Sequence, residues 1–134
     1  MGRFIPFDFS THFLEALRSC YYVLRHGKGL CFFPEGLRSP TGEIGEFKKG
    51  FGILAKETGA MLVPVAIEGA YEAWPSTAKN PKRYPIKVKF GKPLLPEELE
   101  KEGLLMGAQD GYEAICKAAR KALIELKDKD IPLP

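Results

Sequence analysis

The sequence is poor in the residues that build disulfide or metal frameworks. It contains three cysteines, Cys20, Cys31 and Cys116, and none belongs to a Cys-x-x-Cys pair. An odd number of widely spaced cysteines argues against a disulfide framework and a zinc site, and it favours a reducing compartment. We therefore expect a cytoplasmic protein without a metal or a resident cofactor.

Long apolar runs are also missing. No run approaches the roughly 20 residues that a membrane-spanning helix needs, and the opening MGRFIPFDFS lacks the basic head and apolar body of a signal peptide. The net charge of +3 is too small to indicate nucleic-acid binding, but it is compatible with anionic substrates or an anionic membrane surface. We expect any membrane contact to be peripheral, on the cytoplasmic face.

Several common catalytic motifs do not occur. The sequence has no Gly-x4-Gly-Lys-Ser/Thr loop, no Gly-x-Gly-x-x-Gly fingerprint and no Gly-x-Ser-x-Gly elbow. P-loop, dinucleotide and serine-hydrolase chemistry are therefore not supported. His12 and His26 are the only histidines, and neither has a carboxylate four residues later. We interpret both as structural, with His12 the first alternative if a base is required.

What remains is the composition of one soluble domain spanning residues 1–134, with 45% apolar and 28% charged residues. Apolar residues at helical spacing predict three helices. The first follows the N-cap candidates Asp8 and Ser10 and ends near His26. The other two lie at 47–58 and 110–128, and the last packs on the core. Gly27 and Gly59 are natural helix stops.

Four apolar segments are predicted as strands, at 3–7, 30–33, 61–67 and 86–90. The first two flank a helix, and such a unit favours parallel strands with a right-handed crossover. We expect an α/β fold with a small mixed, mainly parallel sheet flanked by helices. The turn after Phe33 then lies at the carboxyl end of a strand, where ligands of open α/β sheets bind.

The last predicted strand alternates apolar and basic residues. Ile86, Val88 and Phe90 alternate with Lys87 and Lys89. This period of two predicts a half-buried strand whose apolar side faces the core and whose lysines face solvent.

The turn in FFPEGLRSPTGE carries both signs of charge. Gly36 allows backbone N–H groups to approach a ligand, and Arg38 is suited to holding phosphate bidentately. An ordinary surface ion pair between Glu35 and Arg38 is the alternative, and it would be worth little.

Two lysines follow at the predicted start of the second helix. Lys48 and Lys49 oppose the helix dipole there, and a bound anion would relieve that conflict. The alternative is a solvated helix face, which we expect for one of the two. Gly50 and Gly52 each cost about 1 kcal/mol in a helix, so close backbone packing or close approach of a ligand is predicted.

Four segments, in order, resemble the motifs of the glycerolipid acyltransferases, which are the lysophosphatidate (1-acylglycerol-3-phosphate) and glycerol-3-phosphate acyltransferases. Phe33–Ser39 resembles their FPEGTRS block, Phe47–Gly50 their FKKG segment and Val63–Ile67 their VPV-type fourth block. Gly2–Asp8 is similar to their second block, so the resemblance covers roughly residues 2–95.

The resemblance implies transfer of an acyl group from acyl-CoA or acyl-carrier protein, as co-substrate, to a hydroxyl of a lysophospholipid or glycerol phosphate. No metal is implied. The residues that it implies for acceptor binding are Arg3, Glu35, Gly36, Arg38, Ser39, Lys48 and Lys49. Pro34 and Pro64 are the implied structural residues.

Two departures from the family pattern matter. Leu37 stands where the family has Thr, and no His and Asp separated by four residues occur in the sequence. In the family that pair supplies the general base and its partner. The resemblance therefore implies a C-terminal fragment with the N-terminal part of the fold missing, and little turnover by residues 1–134 alone.

Two other functions stay open on the sequence. One is a non-catalytic module that binds phospholipid or phosphate, and the other is an interaction domain whose motifs are coincidental. Membrane contact through exposed aromatic side chains is a further expectation, with burial in the core as its alternative. The aromatic residues concerned are Phe4, Phe7, Phe9, Tyr21 and Tyr22.

Overall fold

The computed structural model describes residues 12–132. This part of the chain contains five helices and two strands. In chain order they are α1 (Phe13–Arg25), α2 (Lys49–Thr58), β1 (Val65–Glu68), α3 (Ala70–Ala73), β2 (Lys87–Phe90), α4 (Pro96–Leu105) and α5 (Gly111–Asp128). None of the helices in residues 12–132 has the length and apolar character needed to cross a bilayer.

Helix α5 lies at the centre of the core, in contact with α2, α4 and β1. Its small apolar face lets the neighbouring helices approach closely. A Cβ at Gly103 of α4 would lie 2.0 Å from the carbonyl oxygen of Ala114, so the two backbones are almost in contact there. The buried core cluster consists of Ala55, Leu99, Ile115, Ala118 and Ala119.

The C-terminal ends of α1 and α2 follow the predicted signals. Gly27 and Gly59 have φ values of 68° and 62°, the left-handed conformation that ends helices with little strain at glycine. Asp110 caps α5, because its Oδ1 accepts the Glu113 N–H at 2.8 Å. Glu113 Oε2 in turn accepts the Gln109 N–H at 2.7 Å.

The sheet differs from the expected one. The α/β class is confirmed, but the two described strands are antiparallel, with Val65 opposite Phe90. The predicted strand at 30–33 is wrong, since this segment has no regular secondary structure. A strand needs a partner for its backbone ladder, and the partner predicted for it, 3–7, lies outside the described residues.

Pro64 interrupts the strand predicted at 61–67. Leu62 forms an isolated bridge with Leu94, and regular pairing resumes only at Val65. Between them the Gly91 N–H donates to the Pro64 carbonyl at 2.8 Å. Because proline has no N–H to donate, this irregularity is the one expected for it.

The predicted orientation of the last strand is wrong. Lys89 is 7% exposed, whereas Val88 and Phe90 are 48% and 70% exposed. Lys89 Nζ donates to the carbonyls of Lys127 and Lys129, at 2.5 and 2.8 Å.

The carbonyls at the C-terminal end of α5 explain this inversion. They have no partner within the helix and carry its negative partial charge, so they bind a buried cation. Lys89 also forms an ion pair of 2.5 Å with Glu68. The lysine therefore points inward beside the buried Ala66, whereas Val65, Ile67, Val88 and Phe90 are exposed.

Replacing Lys89 with Met is expected to lower the free energy of unfolding by roughly 2 kcal/mol, because the carbonyls at the end of α5 lose their donor. Lys89 also lowers the pKa of Glu68 through their hydrogen bond. The wild-type stability should therefore fall as the pH drops through the lowered pKa of Glu68.

Denaturant titrations between neutral and acid pH would measure both effects. Lys89→Met should flatten the loss of stability at acid pH, and Lys92→Met, at an exposed lysine, is the control. Equal stabilities for the two variants would contradict the capping role.

Gly52 confirms the predicted close packing of α2. A Cβ there would lie 2.3 Å from the Tyr112 carbonyl oxygen and 3.0 Å from Cys116 Sγ. No side chain fits between α2 and the first turn of α5.

Gly52→Ala is therefore expected to destabilise the fold by about 3 kcal/mol, at the upper end for overpacking, because a backbone atom must move. Gly29→Ala is the matched control, since nothing lies within 4 Å of its Cβ position. Thermal unfolding of both variants would test this, and similar midpoints for the two would refute the close contact.

Candidate functional site

A backbone hydrogen bond closes the charged turn around Pro34 and Glu35. The Gly36 N–H donates to the Phe33 carbonyl at 3.1 Å, and Gly36 has a φ of 72°. Glycine adopts this left-handed conformation without strain, whereas other residues do not. The turn thus requires glycine at this position.

Pro34 joins the turn to the start of α2. Its carbonyl accepts the Lys48 N–H at 2.8 Å, and Lys48 is the extended residue that precedes the helix. The turn and the N-terminal end of α2 are therefore neighbours.

Glu35 closes the loop that follows the turn. Its Oε2 accepts the Gly45 N–H at 2.8 Å, and a Cβ at Gly45 would lie 3.2 Å from that oxygen. One carboxylate oxygen is therefore committed to the loop, and Glu35 has no other hydrogen-bond partner in the described part of the chain.

Arg38 is held by Trp74, at the C-terminal end of α3. Arg38 Nη2 donates to the Trp74 carbonyl oxygen, and its guanidinium carbon lies 5.1 Å from the centroid of the indole ring. Arginine has five N–H donors, so this contact leaves others for a ligand. No short-range pattern in the sequence indicates Trp74 as a site residue, because its contact with Arg38 spans 36 positions.

Ser39 is committed to the loop rather than directed outward. Its hydroxyl donates to the Glu43 carbonyl at 2.7 Å and accepts the Gly42 N–H at 2.9 Å. Gly42, with a φ of 86°, packs on the ring of Tyr71, where a Cβ would approach within 3.0 Å. These contacts give the loop a defined conformation.

The two lysines at the start of α2 have different surroundings. Lys49 Nζ lies 2.6 Å from Asp110 Oδ2, and this contact raises the pKa of Lys49 and lowers the pKa of Asp110. Lys48 is exposed, and its ammonium has no ion-pair partner among residues 12–132. The uncompensated charge at this helix end therefore belongs to Lys48.

Helix α5 binds the loop through residues that sequence analysis missed. Arg120 donates from Nε to the Gly45 carbonyl at 2.9 Å and from Nη2 to the Ile44 carbonyl at 2.7 Å. Lys127 Nζ donates to the Gly42 carbonyl at 3.2 Å. Arg120 and Lys127 are seven residues apart and therefore lie on one face of α5. This spacing was the signal in the sequence that could have indicated them.

The remaining predicted residues lie apart from this network or outside the description. His12 contacts Glu15 at 3.3 Å, and His26 Nδ1 lies 2.7 Å from the Tyr22 carbonyl. Arg3 is outside the described residues. Among residues 12–132 no group of three or more His, Cys, Asp or Glu side chains is placed to hold a metal ion.

Known proteins share this segment. A family model described as Acyltransferase matches residues 3–68. The 1-acyl-sn-glycerol-3-phosphate acyltransferase of Cocos nucifera is 36% identical over 80 residues. The segment of residues 3–68 belongs to the acyltransferase family. The predicted resemblance is confirmed, and the matched residues include the turn, α2 and Pro64.

A solved acyltransferase shares the fold as well. The 1-acyl-sn-glycerophosphate acyltransferase PlsC of Thermotoga maritima is 27% identical, with a TM-score of 0.67 over 90% of this chain and 48% of that chain. The match with the Cocos nucifera enzyme covers 60% of this chain and 26% of that enzyme. The chloroplast 1-acyl-sn-glycerol-3-phosphate acyltransferase of Arabidopsis thaliana is 36% identical over 50% of this chain and 19% of its own length. This chain thus spans about a quarter or less of these two curated relatives.

Glu35→Ala is expected to loosen the loop that follows the charged turn. The Gly45 amide would lose its carboxylate acceptor, and a hydrogen bond to a charged group is worth about 1.5–3 kcal/mol. Hydrogen exchange at the Gly45 amide should become at least about tenfold faster.

Exchange measured by NMR would test this, with Glu46→Ala as the control, because Glu46 is exposed and makes no hydrogen bond in the described structure. Unchanged exchange at Gly45 in Glu35→Ala would count against the loop-closing role.

Proposed function

We propose that this chain supplies the acceptor-binding part of a 1-acylglycerol-3-phosphate acyltransferase. In the proposed reaction, the acyl group of acyl-CoA or acyl-carrier protein passes to a hydroxyl of a lysophospholipid or glycerol phosphate. The observation that carries the proposal is the family match over residues 3–68, which contains every residue predicted to bind the acceptor. The names of the similar proteins support the same acceptor class.

Arg38 is the proposed principal phosphate ligand. Trp74 restricts the guanidinium through a carbonyl and an aromatic face, so less side-chain entropy is lost when phosphate binds. The remaining N–H donors suit bidentate binding of a phosphate oxygen pair. This arrangement favours a preorganised site over a flexible surface cation.

Lys48 is the proposed second cation. Its backbone is hydrogen-bonded to the turn, and its ammonium is not neutralised by an acid of the described chain. Lys49 contributes less in this proposal, because Asp110 already balances its charge. Glu35 acts as a positioning residue that holds the loop.

The chemical step needs more than these residues. The acceptor hydroxyl attacks the thioester carbonyl, its proton passes to a base, and the thiol carrier leaves. A general base must reach that proton, and in this sequence no His and Asp are separated by four residues. The proposed role of these 134 residues is therefore to bind and orient the acceptor.

The same observation favours a second candidate, a module that binds the phosphorylated lipid without acyl transfer. The two candidates share the phosphate site and differ in turnover. Turnover of acyl-CoA and lysophosphatidate would exclude the non-catalytic module, whereas little turnover by residues 1–134 alone is expected of both candidates.

Calorimetry with glycerol 3-phosphate would test the shared site. We expect binding that Arg38→Ala weakens by about 10- to 100-fold, as for loss of a charge-assisted hydrogen bond. Glycerol, which lacks the phosphate, should not bind measurably.

Arg83→Ala is the matched control, because Arg83 is an exposed arginine outside the turn. An affinity that is the same in Arg38→Ala and the wild type would refute the assigned role of Arg38. A loss of affinity for glycerol 3-phosphate in Arg83→Ala but not in Arg38→Ala would show that the phosphate does not bind at the charged turn.

A further inference from the structure

One face of α1 exposes apolar, aromatic and basic side chains together. Residues three, four and seven positions apart share a helix face. On this face Leu14, Tyr21 and Tyr22 are 72%, 41% and 63% exposed, and both arginines are exposed. The face, called the α1 stripe below, consists of Leu14, Arg18, Tyr21, Tyr22 and Arg25.

The α1 stripe borders an open groove of about 520 Å³ between α1 and α2. Leu17, Ile53 and Leu54 line it together with side chains of the stripe. The buried residues Ala16 and Cys20 lie on the other side of α1. The stripe and the groove therefore form one continuous surface that the described chain leaves uncovered.

The charge of this surface is positive. Arg18 has no ion-pair partner among residues 12–132, and the Arg25 guanidinium carbon lies 5.8 Å from the Tyr21 ring centroid. The stripe itself contains no carboxylate. Glu57 lines the groove and accepts the Tyr112 hydroxyl at 2.8 Å, so this surface carries two arginines against one carboxylate.

We propose that the α1 stripe is the surface through which this domain lies on an anionic phospholipid bilayer. Helices that lie in the interface plane combine an apolar and aromatic face with basic side chains. Arginine places its apolar stem along the lipid and its guanidinium among the phosphates. Two uncompensated arginines without an acid on the stripe match anionic headgroups. The inference is independent of acyl transfer.

Cosedimentation with vesicles tests this surface directly. The 134-residue chain is expected to bind vesicles of phosphatidylcholine that contain phosphatidylglycerol, and to bind pure phosphatidylcholine vesicles much more weakly. Each arginine near an anionic membrane contributes about a fivefold gain in binding. Arg18→Gln with Arg25→Gln should therefore reduce binding about 25-fold.

A second pair of substitutions separates the apolar contribution from the charge. Leu14→Ser with Tyr22→Ser keeps both arginines and should weaken binding at every salt concentration. The effect of the arginine pair should shrink as salt screens the headgroups. Lys92→Gln with Lys101→Gln is the control for removing two exposed cations, and it should bind like the wild type.

Three outcomes would overturn the proposal. The first is no binding of the wild-type chain to vesicles with phosphatidylglycerol. The second is an equal loss in the control pair. The third is a dimer in solution that does not bind vesicles and that the Leu14 and Tyr22 substitutions dissociate, which would assign the stripe to a contact between two copies. Circular dichroism establishes that each variant is folded.

Discussion

The candidate site depends on Gly45, which connects the core to the charged turn. Arg120 of α5 donates to its carbonyl at 2.9 Å, and Glu35 accepts its N–H at 2.8 Å. The buried helix at the centre of the fold thus fixes the loop, and the loop fixes the carboxylate beside Gly36. Arg120 therefore anchors the turn, although the sequence alone would place it on the surface of a helix.

Four basic side chains, Arg38, Lys89, Arg120 and Lys127, donate hydrogen bonds to backbone carbonyls of the described chain. Arg38 donates to a carbonyl at the end of α3, Lys127 to a carbonyl of the loop, and Lys89 to the last carbonyls of α5. Each of these oxygens would otherwise be unsatisfied. These four cations are therefore engaged by the fold and are less available to a ligand than the net charge of +3 suggests.

The parts predicted correctly depend on local chemistry. Helical periodicity and the left-handed glycines gave α1, α2 and α5, because these signals act within one or two turns of helix. The inverted strand was not predictable from its alternation. Lys89 is buried by carbonyls 38 and 40 positions away, and no pattern within five residues contains that information.

The sequence by itself determined the family, the ordered motifs and the positions of the main helices, since these lie in residue identity and short-range spacing. Tertiary structure alone decided how the site residues are used. It placed Trp74 against Arg38, directed one oxygen of Glu35 to the loop, and balanced Lys49 with Asp110 while leaving Lys48 without an ion-pair partner in the described chain. These outcomes depend on which distant backbone and side-chain groups the packing of α5 brings within hydrogen-bond distance.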